Sequence, residues 1–210
     1  WISTPDELWD DKKEMITTAL ESGIDHVLDL DDCENIRKLG NVKIISNSED
    51  ADIFLVGING EGDGVLELSE DFTDSVDIAN ARKAKSEGKT VCAYVIITDK
   101  AHEQLAVKLG SIADYVILVG TDWTIIPLEN IIADLQKEDV NIIAAVRDVD
   151  GARVALETLE HGTDGVIFEA NDFNNIKKIA QEVIEASQSK YELKIATVTN
   201  VTPLGSGDRV

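Results

Sequence analysis

The chain has 210 residues, 43% of them hydrophobic, which is enough to bury a sizeable core without disulfide or metal staples. Acidic residues outnumber basic ones by 41 to 19, a formal net charge of −22. A field of that sign repels phosphate backbones, which excludes nucleic acid and anionic membrane surfaces as favoured partners.

Among the cations, 14 Lys stand against 5 Arg, a choice that points to an acidic or salt-tolerant cytoplasmic protein rather than an extreme halophile. Cys33 and Cys92 lie far apart without metal-type spacing, consistent with a reducing, cytoplasmic compartment. Cys92 falls in the apolar run "TVCAYVII" and is expected to be buried, whereas Cys33 is expected on an acidic, exposed helix. No apolar run approaches the roughly 20 residues of a membrane span, and no signal peptide is visible. The chain opens at Trp1 without Met and stops in a Gly-rich run, so both natural ends are expected to lie outside it.

In chain order, strand-length apolar runs occur at Trp1 to Ser3, His26 to Leu30, Val42 to Ser46, Ile53 to Ile58, Val91 to Thr98, Tyr115 to Gly120, Asn141 to Val146 and Gly165 to Glu169. Most lack alternation, as expected of strands buried on both faces of a parallel sheet. Helical patterns lie between them. The first, residues 5–23, opens on Pro5 and acids, places Leu8, Met15, Ile16, Ala19 and Leu20 on one side and stops at Gly23. "KAHEQLAVKLG", "PLENIIADLQKE", "DGARVALETLEHG" and "DFNNIKKIAQEVIEAS" follow the same grammar. Residues 141–170 read as a strand, a helix, Gly162 as C-cap and a second strand, the length of one βαβ unit.

Eight strands with interleaved helices predict a (βα)8 barrel of the TIM type over residues 1–187. The link "NSEDAD" between Ser46 and Ile53 is shorter than the ten or so residues a parallel crossover needs. The barrel is therefore expected to be irregular over residues 42–58; an open sheet with one antiparallel or unpaired strand is the alternative. Residues 188–210 alternate polar and apolar positions and read as the start of a β-rich second segment.

Ligands of such barrels bind at the carboxyl ends of the strands. The polar residues there are Asp6, Asp29, Ser46, Asn59, Thr98, Asp99, Lys100, Thr121, Asp122, Arg147, Asp148 and Glu169. So many carboxylates suit acid/base work or a divalent cation, although each alone is also an ordinary helix N-cap. The Gly-rich stretch "GINGEGDGV" follows a strand, but its glycines alternate, G-x-G-x-x-G is absent, and Glu61 and Asp63 would repel phosphate; a mobile turn is expected. His26, His102 and His161 have no second ligand at metal spacing, so no metal site is assigned. Lys100 is the candidate for a Schiff-base lysine, against a solvated loop lysine.

The stretch Val119 to Gln136 raises a sharper question, because an apolar strand ends at Asp122 and Trp123 just before a helix that starts at Pro127. Taken alone, the pair reads equally well as a turn and a core cap. However, "DWTIIPLENIIADLQ", with "TTALESG" (Thr17 to Gly23), "GTDGV" (Gly162 to Val166) and "ATVTNVTPLGSGDRV" (Ala196 to Val210), closely resembles the archaeal-type 3-dehydroquinate synthase family, dehydroquinate synthase II. Members of that family are longer, which implies an amino-terminal portion here. One departure is "WIS" where the family often reads "WIK", so any role of that lysine is in doubt at Ser3.

The resemblance implies an NAD-dependent enzyme of the shikimate route. It would oxidatively deaminate 2-amino-3,7-dideoxy-D-threo-hept-6-ulosonate and close the ring to 3-dehydroquinate. It also implies a small-molecule partner, and a homo-oligomer is left open. Under it, Asp122 is the expected base and Glu129 the orienting carboxylate, with Trp123 as pocket floor or nicotinamide platform. Asp208 and Arg209 are expected to meet the substrate's ammonium and carboxylate, or else to form a salt bridge docking the second segment. Two rivals stand beside this one: a barrel aldolase or sugar-modifying enzyme that needs no NAD, and a binding or assembly domain.

Overall fold

A computed structural model describes residues 1–5, 8–68, 71–120, 128–157 and 162–187. Its eight strands are β1 (Ile2–Ser3), β2 (His26–Leu28), β3 (Lys43–Ser46), β4 (Ile53–Val56), β5 (Val91–Ile97), β6 (Tyr115–Gly120), β7 (Asn141–Ala145) and β8 (Gly165–Glu169). They close into one parallel barrel in chain order, with β8 returning to β1. The helices are α1 (Trp9–Glu21), α2 (Cys33–Arg37), α3 (Val76–Ser86), α4 (Lys100–Gly110), α5 (Leu128–Leu135), α6 (Val149–Glu157) and α7 (Phe173–Ser187). The expected TIM-type barrel is therefore present; residues 188–210 lie outside the described residues.

The irregularity falls where the short link predicted it, yet the strands there stay parallel. Ile45 pairs with Ile53 and Ser46 with Phe54. Because the β3–β4 overlap is so short, residues 47–52 return the chain by only about one residue of strand rise and one interstrand spacing of about 4.8 Å, and no helix is needed. Asp52 holds this return, accepting from the Ile44 amide at 3.0 Å and pairing with Arg37 at 3.1 Å. The Arg37 guanidinium also donates to the Asp50 carbonyl.

Helix α1 shows why its sequence folds as it does. Asp10 and Asp11 sit in its first turn, where the helix dipole favours anions, and Gly23 ends it at φ +84, a conformation that favours glycine. Ile16 and Ala19 are buried as expected, but Leu8 precedes the helix and is 79% exposed. Lys12, polar in the sequence pattern, is buried on the same helix.

The core has two layers. Ile2, Ile16, Leu105, Leu118, Ile131 and Ile176 belong to the layer between strands and helices. Leu28, Ile45, Leu55, Cys92, Ile117, Ile143 and Ile167 fill the barrel interior. At the amino ends of the strands Trp1 stacks on His26, with centroids 4.9 Å apart and planes 1° apart, and meets Tyr115 at 5.0 Å. Cys92 is fully buried, which pushes its thiol pKa far up, and Cys33 is half-buried rather than exposed on α2. Among the described residues no helix is long and apolar enough to cross a membrane.

The Gly-rich stretch is a turn, as expected, and is tied to its neighbours by hydrogen bonds. Gly62 accepts a hydrogen bond from the Ile96 amide at 2.7 Å, and the Glu61 and Gly62 amides donate to Asp77 at 2.7 and 2.8 Å. A Cβ at Gly57 or Gly62 would collide with the Tyr94 carbonyl, so the glycines are there to let this loop lie directly on β5. Gly62→Ala is expected to lower stability by about 1–3 kcal/mol through overpacking. An unchanged midpoint in urea would show that the loop yields to a methyl group.

Candidate functional site

The inner faces of the strands converge at the carboxyl-terminal mouth on a cavity of about 290 Å³. Leu28, Ile58, Val119, Ala145 and Ile167 form its apolar lining, and Ser3, Tyr94, Arg147 and Glu169 are its polar groups. Three of these four follow from strand register. Ser3 pairs with Glu169, and Ala145 with Ile167, so two residues further on Arg147 stands beside Glu169. Serine, carboxylate and guanidinium thus form a row across β1, β8 and the end of β7.

The Glu169 carboxylate accepts from the Asn171 side chain at 3.1 Å, and the Arg147 carbonyl accepts from that of Asn175 at 3.0 Å. Among the described residues Arg147 and Glu169 form no ion pair with each other or with any other group, although they share one cavity. Tyr94 is half-buried on β5, and burial followed by the charge of Asp63 raises its phenol pKa, so it remains a hydrogen-bond donor at neutral pH.

Most of the other strand-end residues have structural roles. Asp29 is 2% exposed and bonded to Thr4, Lys12 and the amides of Asp31 and Asp32. Burial alone would raise its pKa, but the bonds from Thr4, the Asp32 amide and Lys12 hold it below the ordinary carboxylate range. Ser46 is fully buried. Asn59 adopts φ +57 and its amide donates to Asp63 at 2.7 Å. Asp99 caps α4 and, with Thr98, contacts His102, while Asp148 accepts from the Gly151 amide at 2.8 Å. The ordinary N-cap role therefore applies to Asp99, and Asp148 has an equivalent role at α6.

Lys100 is an exposed residue of α4 paired with Glu103, outside the mouth, which favours the solvated role over a Schiff base. Among the described residues no group of three or more His, Cys, Asp or Glu is arranged to hold a metal. Glu129 lies exposed in the first turn of α5 and does not line the cavity. Asp6, Thr121, Asp122, Trp123, His161, Asp208 and Arg209 lie outside the described residues. Tyr94 was missed because it sits within a continuous apolar strand; a phenol interrupting "VCAYVII" was the available signal.

Buried carboxylates also meet beside the Gly-rich loop. Glu61 and Asp77 are both 3% exposed, and Glu61 bonds Ser75 and the Asp77 amide. Burial raises the pKa of Asp77; the Gly62 and Glu61 amides oppose that rise, and the charges of Glu61 and Asp63 add to it. These groups hold the start of α3 and the loop together and are not among the mouth cavity's lining residues. A second cavity, beside Trp1 and His26, lies at the amino ends of the strands, the face of such barrels that serves stability.

Fold and cavity together define a (βα)8 barrel with a cavity at the carboxyl-terminal mouth, the face where ligands of such barrels bind. Solved structures of that architecture are similar to it. Orotidine 5'-monophosphate decarboxylase from Methanocaldococcus jannaschii matches 90% of this chain and 98% of its own, at a TM-score of 0.58 and 17% identity. 3-Hexulose-6-phosphate synthase from Salmonella typhimurium matches 88% and 98%, at 0.57 and 17%. At these identities the likeness is one of fold alone.

The particular family is defined by sequence. A family model described as the 3-dehydroquinate synthase II N-terminal domain matches residues 1–183, and the chain belongs to that family. It is 77% identical to 3-dehydroquinate synthase of Methanobrevibacter smithii over 99% of its length and 56% of that protein's. It is 60% identical to that of Methanothermobacter thermautotrophicus over 100% and 56%. The chain thus spans a little over half the length of these curated relatives.

Proposed function

We propose that this barrel is the amino-terminal domain of an enzyme that makes 3-dehydroquinate from 2-amino-3,7-dideoxy-D-threo-hept-6-ulosonate in aromatic amino-acid biosynthesis. The observation that carries the proposal is the family match over residues 1–183, on a barrel whose mouth holds a small, mostly apolar cavity with four polar groups in its lining. Replacing the 2-amino group by a 2-oxo group is a two-electron oxidation, and NAD is the cofactor proposed to take up those electrons. The enzyme would therefore be an NAD-dependent oxidoreductase.

The described mouth lining fits the seven-carbon acid and does not fit the whole dinucleotide. A cavity of about 290 Å³ is at the lower end of small-molecule pockets, and Arg147 is the only cation among its described lining residues to offset a pyrophosphate near Glu169. The proposal accordingly puts the nucleotide outside this lining. Asp122 is proposed as the base and Glu129 as its orienting carboxylate. Asp208 and Arg209 are retained as alternative contacts for the substrate's ammonium and carboxylate, or else as a salt bridge docking the second segment.

The test is NADH formation, followed by absorbance, when the full-length protein receives NAD+ and the amino-deoxy-heptulosonate. NADH together with dehydroquinate is the expected result. A folded, full-length protein that yields neither would favour a barrel enzyme that needs no NAD.

A further inference from the structure

We infer that the row Ser3, Glu169 and Arg147 seats the α-amino-acid end of the substrate, an assignment that rests on the proposed substrate class. Arg147 takes the carboxylate, Glu169 takes the ammonium, and the apolar lining beyond them receives the carbon chain.

The first argument is geometric. Arg147, two residues past the end of β7, and Glu169, the last residue of β8, line one cavity. Opposite charges lining one small cavity can pair, yet no ion pair joins these two. An amino-acid head carries both complementary charges on adjacent carbons and can bridge this gap. The planar guanidinium offers a paired grip on a carboxylate, and the Glu169 carboxylate, an acceptor only, suits an ammonium with three donors.

The second argument is electrostatic. In a chain of net charge −22 a free carboxylate is repelled at long range and needs a local cation to be held. Arg147 is the only cation among the cavity's described lining residues, and its guanidinium makes no ion pair among the described residues. The order of the row also sets orientation: the ammonium lies toward β8 and β1, and the carboxylate toward β7. Ser3, the neighbour of Glu169, is short enough to leave the ammonium space, and its hydroxyl can accept one of its protons.

The experiment is calorimetric titration of the full-length protein with 2-amino-6-oxoheptanoate, the substrate without its hydroxyls, and with the corresponding carboxamide. Arg147→Ala is expected to weaken binding of the acid by about 10- to 100-fold, and Glu169→Gln by about 10-fold. Arg153→Ala, which removes a cation from the outer face, is expected to leave it unchanged. The carboxamide should bind the wild type and the Arg147→Ala variant equally weakly, an outcome that a merely structural role for Arg147 would not produce. No binding of the acid to the wild type, or full affinity in Arg147→Ala, overturns the assignment. Binding that depends on Arg147 without NADH formation keeps this seat and removes the proposed reaction. NADH formation with full affinity in Arg147→Ala keeps the reaction and passes the carboxylate to Arg209.

Discussion

Replacing Lys12 by Met is expected to destabilise the barrel by about 3 kcal/mol, lowering its thermal midpoint by about 6–12 °C. Lys12 is 3% exposed and lies 3.0 Å from Asp29 and 3.2 Å from Asp32. Removing the ammonium strands a buried carboxylate that has lost its counter-charge, and the remaining bonds from Thr4 and two amides offset only part of that. The double variant Lys12→Met with Asp29→Asn is expected to recover some of the loss, because no uncompensated charge is then buried. A single variant as stable as the wild type would show that Asp29 takes up a proton or water at little cost.

The same pair sets a pH dependence. Burial pulls the Lys12 ammonium down, but its hydrogen bonds to Asp29 and Asp32 prevail and hold its pKa above the ordinary lysine value. Its contribution is complete below that ordinary value and is lost as pH rises through the raised one. Asp29, held below the ordinary carboxylate range, contributes fully above that range and loses its contribution as pH falls through the depressed value. Asp77 acts oppositely: its raised pKa makes the folded state hold the proton more tightly, so stability falls as pH rises from the ordinary aspartate range through that value. Urea midpoints of wild type and Lys12→Met should therefore converge toward both pH extremes.

Asp122→Asn in the full-length protein is expected to reduce turnover by about 10²- to 10⁴-fold, the usual worth of a positioned general base. The proposed reaction needs a base twice, to deprotonate the substrate ammonium before oxidation and to generate the carbanion that closes the ring. An amide keeps the size of the carboxylate and removes its basicity. The thermal midpoint should stay within a few degrees of the wild type, so the loss is read as chemistry rather than unfolding. Wild-type turnover in this variant would remove Asp122 from the mechanism and direct attention to the carboxylate of Glu169 in the mouth.

The sequence alone determined the eight strands, because strands covered on both faces must be apolar throughout and leave continuous runs. It also determined the helix bounded by Gly23 and the family, whose long motif at Asp122 to Gln136 does not depend on packing. Only the tertiary structure decided which strand-end residues face the cavity. A continuous apolar run carries no period-2 signal, so nothing local separates Tyr94, Arg147 and Glu169, which line the mouth, from Asp29 and Asp99, which are engaged by Lys12 and the start of α4. Nor could chain length alone show that six residues suffice between β3 and β4, since that depends on how far the two strands overlap. The Gly-rich loop is the same case: its glycines answer to the backbone of Tyr94, a partner more than thirty residues away that only the closed barrel brings into contact.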